Sequence, residues 1–149
     1  MKSIQIILIA LTTFSLISCS TSNKATQTTS ENTTKGTSIE SHNAIVVINT
    51  ATWCGTCQKH GMRVEEEIVS QFISDERYTI VVNNLSTDET KAESKKKLEE
   101  AGLPTFAKEN NGTGLIYFMN ASNKEFISKI SVSKSTEAIL QEFENALIN

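Results

Sequence analysis

The sequence predicts an α/β domain with a mixed central sheet and helices on both faces, in the order β-α-β-α-β-β-α. Three observations predict it. The run Ala44-Ile45-Val46-Val47-Ile48 is continuously apolar, as in a strand buried on both faces. A helical pattern separates it from the second strand-like run, which implies a parallel crossover. The last two strand-like runs are joined by a short turn, which implies an antiparallel hairpin.

Taken in order, residues 44–50 form the first strand. Residues 54–73 read as a helix, with Val64, Ile68, Val69 and Phe72 recurring on one side and Glu65-Glu66-Glu67 partly solvated. Tyr-Thr-Ile-Val-Val-Asn at 78–83 is the second strand. Asp88 caps a helix running to Ala101, and Gly102 stops it. Residues 115–119 are the third strand, 120–124 a turn and 125–132 the fourth strand. On that strand Phe126, Ser128, Ile130 and Val132 share one face, and Ile127, Lys129 and Ser131 the other. Ser135 starts a last amphipathic helix carrying Ile139, Leu140, Phe143 and Leu147. Phe106, Tyr117 and Phe118 read as core residues. No internal repeat is visible.

The amino terminus reads as an address rather than as fold. Lys2 gives a positive start, and residues 4–17 are mostly apolar, broken by Thr12, Thr13 and Ser15. That stretch is short of the roughly 20 residues of a membrane span and fits a signal-peptide core. It ends in Leu16-Ile17-Ser18-Cys19, which resembles a bacterial lipobox with Cys19 as the lipidated residue. An ordinary cleaved signal peptide and an uncleaved anchor are the alternatives. Residues 1–18 are thus assigned to the signal, 19–42 to a tether and 43–149 to the folded domain. The tether is rich in Ser, Thr and Asn, with only Ala25 and Ile39 notably apolar, so it cannot repay its ordering entropy. As a flexible coil it places the domain about 25–30 Å from a bilayer. A formal charge of -3 argues against nucleic-acid binding.

The chemistry is concentrated in Trp53-Cys54-Gly55-Thr56-Cys57, directly after the first strand and at the head of the first helix. A thiol at a helix N-terminus meets unpaired N–H groups and the positive end of the dipole, which favour its thiolate. A second cysteine one turn later can resolve a mixed disulfide. If Cys19 carries lipid, Cys54 and Cys57 are the remaining thiols of a chain with three cysteines. In an oxidising exported compartment such a pair points to redox activity or a bridge before zinc. Cys54, Cys57 and His60 supply three potential metal ligands. A structural zinc site needs four, and His42 in the tether is the other candidate. His60, with Lys59 and Arg63, is also placed to lower the Cys54 pKa slightly, or simply to sit on a solvated helix face.

With its element order, Trp-Cys-Gly-x-Cys after the first strand resembles the thioredoxin family over residues 43–149, in a trimmed form without a clear leading strand and helix before Ala44. The resemblance implies Cys54 as an exposed attacking thiolate, Cys57 as a buried resolving thiol and Trp53 packed beside the disulfide. Gly55 gives the bend room, and Thr56 stands where thioredoxins usually carry proline. Family potentials span about 150 mV, and loss of that proline points to a site less reducing than thioredoxin. A second departure is Ile48, where the family buries an aspartate that handles the Cys57 proton. A third is the loop facing the disulfide, where the family places a cis-proline. The only proline is Pro104. Register with the strand at 115–119 instead favours Thr113-Gly114 there, with Pro104 opening a short helix. A residue other than proline favours a trans bond, since cis costs about 3 kcal/mol.

These readings imply a protein-disulfide oxidoreductase, lipid-anchored in the bacterial cell envelope and facing the periplasm or exterior. It exchanges Cys54–Cys57 with cysteine pairs of exported proteins and is recharged by a redox partner protein. It needs no cofactor, because the dithiol carries the electrons. The rivals are a binding module that keeps the fold with a structural bridge, and a copper chaperone.

Overall fold

The computed structural model describes residues 43–148. The predicted signal, Cys19 and the tether lie outside the described residues. Strands β1 (Ala44–Thr50), β2 (Tyr78–Asn84), β3 (Leu115–Asn120) and β4 (Phe126–Ser131) form one mixed sheet in the order β2-β1-β3-β4. β2 runs parallel to β1, whereas β3 is antiparallel to β1 and β4 antiparallel to β3. Both the crossover and the hairpin predicted from the connections are present.

β1 is central and covered on both faces, so its side chains divide between two apolar layers. Ala44, Val46 and Ile48 enter the layer with Val64, Ile68, Phe72, Ile139 and Phe143. Ile45 and Val47 enter the opposite layer with Val81, Leu98, Leu103, Phe106 and Tyr117. The helices supplying those layers are α1 (Gly55–Val64), α2 (Ser70–Phe72), α3 (Asp88–Glu100), α4 (Phe106–Glu109) and α5 (Thr136–Ala146). Among the described residues no helix is long and apolar enough to cross a membrane.

The predicted helix over 54–73 is interrupted by a π-helical turn at Glu65–Val69. An i→i+5 turn takes up an extra residue. Positions four apart, which drift around an α-helix, stay aligned, and Val64, Ile68 and Phe72 are all buried in one layer. Arg63 fastens this helix to the β4–α5 connection. Its guanidinium donates to the Thr136 hydroxyl, the Val132 carbonyl and the Lys134 carbonyl, each at 2.7 Å. Those bonds turn Arg63 toward α5 instead of toward Cys54.

Three sequence expectations are corrected. The N-cap of α3 is Thr87, not Asp88: Thr87 accepts from the Thr90 N–H while Thr90 reciprocates, and Asp88 becomes the first helical residue. Gly102 does stop this helix, at φ +80°, with the Leu103 N–H donating to the Leu98 carbonyl at 2.8 Å in a Schellman closure. Second, Pro104 does not open α4. It sits in the turn ahead of Thr105, and α4 begins at Phe106. Third, Phe126 does not share a face with Ser128, Ile130 and Val132. A bulge lies between the pairs Phe118↔Ser128 and Met119↔Phe126, so one extra residue flips Phe126 to the other face, where it is exposed. Ile127 and Ile130 then both pack on the Phe118 layer.

Phe143 anchors that layer, stacked on Phe72 at 4.2 Å between centroids and edge-on to Phe118 at 5.2 Å. Phe143→Ala is expected to lower stability by about 3–5 kcal/mol, measured by urea denaturation. Beside it, the Tyr78 hydroxyl donates to the Phe143 carbonyl at 3.0 Å. Burial, and secondarily the Glu144 carboxylate, push the Tyr78 phenol up to about 12. Folding therefore favours the protonated phenol, a contribution intact below about pH 10 and lost as pH rises through the shifted value. Tyr78→Phe should flatten the alkaline limb of the stability profile over that interval.

Candidate active site

The site is built where β1 ends. Ala51, Cys54 and Cys57 form a small buried cluster with Leu85 packed against it. Cys54 and Cys57 are joined as a disulfide with Cα atoms 5.2 Å apart. Cys54 is the N-cap of α1, in extended backbone, and its Sγ accepts the Cys57 N–H at 3.1 Å. An N-cap normally presents an oxygen to the orphan N–H of the first turn. Here sulfur takes that place, and a thiolate would gain a charge-assisted hydrogen bond there together with the positive end of the helix.

Exposure does not separate the two cysteines: Cys54 is 7% exposed and Cys57 8%. The expected exposed attacking sulfur is therefore largely covered in the oxidised form. Position along the helix distinguishes them, since Cys54 receives the N–H and Cys57 provides it. Trp53 projects instead of packing, with 63% of its surface exposed. Gly55 is not required by the bend: a Cβ there would meet nothing within 4 Å, and its φ is not positive.

The loop opposite the disulfide is formed by residues 110–114. Gly114 adopts φ +73°, and a Cβ built on it would lie 3.6 Å from the Cys54 Sγ and 3.4 Å from the Thr56 Cβ. The backbone of Gly114 is fully engaged, its N–H donating to the Asn49 carbonyl at 2.8 Å and its carbonyl accepting from Val132 at 3.0 Å. Thr113 makes no backbone hydrogen bond among the described residues. Pro104 lines a cavity with Met119, Lys124 and Phe126, toward the end of β3 away from Leu115 and the disulfide. Cys54, Thr56 and Gly114 are thus brought together, and Pro104 is not.

Two cavities reach Cys57. One of about 450 Å³ is mostly apolar, with Ile48, Val64, Val69 and Val82 in its wall and Glu65 as its one carboxylate. Ile48 thus occupies the face toward Cys57 without offering a proton acceptor. The other, of about 220 Å³, is polar and open, lined by Thr50, Thr52, Gln58, Asn84 and Ser86. His60 is half-buried on α1. Among the described residues no group of three or more His, Cys, Asp or Glu is placed to hold a metal, and His42 lies outside them.

Sequence reasoning missed Asn49 and Asn83, both buried and hydrogen-bonded to each other across β1 and β2 at 2.8 Å. The available signal was an amide at a strand position whose neighbours two residues back are apolar and buried.

A disulfide-forming Cys-x-x-Cys at a helix N-terminus beside β1 agrees with the sequence model of the family described as Thioredoxin, which matches residues 24–133. The chain belongs to the thioredoxin family. With that pair in place it is a thiol–disulfide oxidoreductase. The first residues of the match, 24–42, lie outside the described residues. No curated protein matches the sequence. Similar solved structures include a candidate protein disulfide isomerase from Bacteroides thetaiotaomicron, at 15% identity and TM-score 0.48, covering 71% of this chain and 74% of that one. Trxlp from Edwardsiella tarda gives 16%, 0.43, 74% and 87% for the same quantities. Thioredoxin f2 of Chlamydomonas reinhardtii gives 14%, 0.41, 71% and 82%.

Gly114→Ala should cost about 1–2 kcal/mol through its left-handed backbone alone. Its methyl would also touch Thr56 and the Cys54 sulfur at ordinary contact distance, covering the sulfur further. The expected outcome is a lower urea midpoint together with slower alkylation of reduced Cys54.

Proposed function

We propose that the chain exchanges disulfides with cysteine pairs of exported proteins, with Cys54 as the attacking sulfur and Cys57 as the resolving one. We further propose that Cys19 tethers it by lipid to a bacterial envelope membrane, facing the periplasm or exterior. The observation that carries the assignment of roles is the Cys57 N–H donated to the Cys54 Sγ at the N-cap of α1. It stabilises negative charge on Cys54 and offers Cys57 no equivalent donor.

In the reducing direction, the Cys54 thiolate attacks one sulfur of a client disulfide. The client S–S bond breaks, a Cys54–client disulfide forms, and the second client sulfur leaves as thiolate. Cys57 then loses its proton and attacks the Cys54 sulfur, which closes the Cys54–Cys57 disulfide and releases the client as a dithiol. With Ile48 at the place of the family's acid, the Cys57 proton passes to solvent in the open polar cleft of Thr50, Thr52, Gln58, Asn84 and Ser86, which Cys57 lines. Oxidation of a client dithiol is the same sequence reversed. A redox partner protein restores the starting state, and no bound cofactor is needed.

Cys54→Ser should reduce insulin-disulfide reduction to background. Cys57→Ser should still attack but accumulate the mixed disulfide, visible by mass spectrometry of the trapped complex. Undiminished activity in Cys54→Ser would return the bridge to a structural role. Labelling of Cys19 by a fatty-acid analogue, and its loss in Cys19→Ala, tests the tether separately.

A further inference from the structure

Asn49 sits near the end of β1, in the row of Ile45 and Val47 that faces the apolar layer of Val81, Leu98 and Leu103. Asn49 is 0% exposed and Asn83 1%. A buried amide in such a row is costly unless its polar atoms are paired. Those of Asn49 are. Its Nδ2 donates to the Asn110 carbonyl and the Gly112 carbonyl, each at 2.9 Å. Its Oδ1 accepts from Asn83 Nδ2 at 2.8 Å, and its main-chain carbonyl accepts from the Gly114 N–H at 2.8 Å.

One residue therefore holds the loop at 110, 112 and 114. The residue left between the last two anchor points is Thr113, whose N–H and C=O are unpaired among the described residues. Gly114, next in line, lies against the Cys54 sulfur. The amide has only one workable orientation. Two carbonyl oxygens on one side demand its NH2 group, which turns Oδ1 toward β2, where a donor is required. Asn83, directly opposite in the parallel register, supplies it. A carboxylate at position 49 would have no hydrogen for either carbonyl.

We propose that the Asn83–Asn49 amide pair is a positioning device for client binding. It fixes the 110–114 loop, which has no proline to stiffen it, so that the backbone of Thr113 stays beside Cys54 and pairs with an extended client segment while its disulfide is attacked. This rests on the proposed reading of the site as one that exchanges disulfides with protein clients. Neither asparagine side chain hydrogen-bonds to a reacting sulfur. Their effect runs through the loop, on binding and not on the intrinsic reactivity of Cys54.

The test uses the full chain and two substrates: an unstructured peptide with one internal disulfide, and a small aromatic disulfide that has no backbone to pair. Asn83→Leu, which keeps Asn49 but leaves its Oδ1 without a donor, should raise KM for the peptide about fivefold to tenfold with kcat within about twofold, as expected for loss of binding interactions alone. The rate with the small disulfide should stay within about twofold of wild type. Asn49→Leu should act in the same direction and more strongly. Unchanged peptide KM in a folded variant, or a parallel fall with both substrates, overturns the proposal. If a variant fails to fold, hydrogen exchange on the Cys57→Ser chain trapped with the peptide decides. Slowed exchange of the Thr113 amide on trapping supports the pairing, and unchanged exchange overturns it. A wild-type chain inert toward both disulfides would overturn the client reading and this inference together, whereas an active wild type with indifferent variants removes only the inference.

Discussion

β1 is hydrogen-bonded along both edges and covered on both faces, so residues 44–49 are all buried. That constraint organises the rest of the molecule. A strand in this position must be apolar nearly throughout, and any polar group in it must find partners inside the protein. It must also end abruptly, because the chain leaves the sheet to enter α1. The redox turn is that exit. Cys54 falls at the first N–H-rich point after the strand, and the same geometry that terminates β1 supplies the donor for its sulfur.

The second half of the site comes from the other neighbour of β1. Because β3 runs antiparallel to β1, its start lies beside the end of β1, and the loop entering β3 is carried over the disulfide. Gly114 is needed there for its left-handed backbone, and a Cβ in its place would come into ordinary contact with Thr56 and the Cys54 sulfur. The Asn49 amide reaches the same loop from below, so one strand presents both the chemistry and the fastening of the surface opposite it. The end of α1 away from Cys54 is held in turn by Arg63, whose guanidinium bonds to the β4–α5 connection.

Several elements were legible because one local pattern outweighed its competitors. The apolar run of β1, the stop at Gly102 and the Ser135 cap of α5 each follow from nearest-neighbour chemistry. Others were not. Thr87 and Asp88 are both good caps, and the choice depended on Thr90 returning a hydrogen bond. The bulge opposite Phe118 and Met119 inverts a face that strict alternation assigns to Phe126, and no residue in that strand announces it. The π-helical turn is chosen because Val64, Ile68 and Phe72 must all meet one layer, a demand set by the sheet and not by the helix.

By itself the sequence determined the fold class, the chain order of the elements, the parallel β1–β2 crossover, the antiparallel β3–β4 hairpin, and the placement of Cys54 and Cys57 at the head of a helix. Those depend on periodicity and on the short-range rules of strand, turn and cap, which act within a few residues. Only the tertiary structure decided which loop faces the sulfurs, that Cys54 is nearly as covered as Cys57, and that Asn49 and Asn83 bind each other and the loop. The loop contact and the amide bonds join residues about thirty to sixty positions apart along the chain, where separation in sequence carries no record of separation in space.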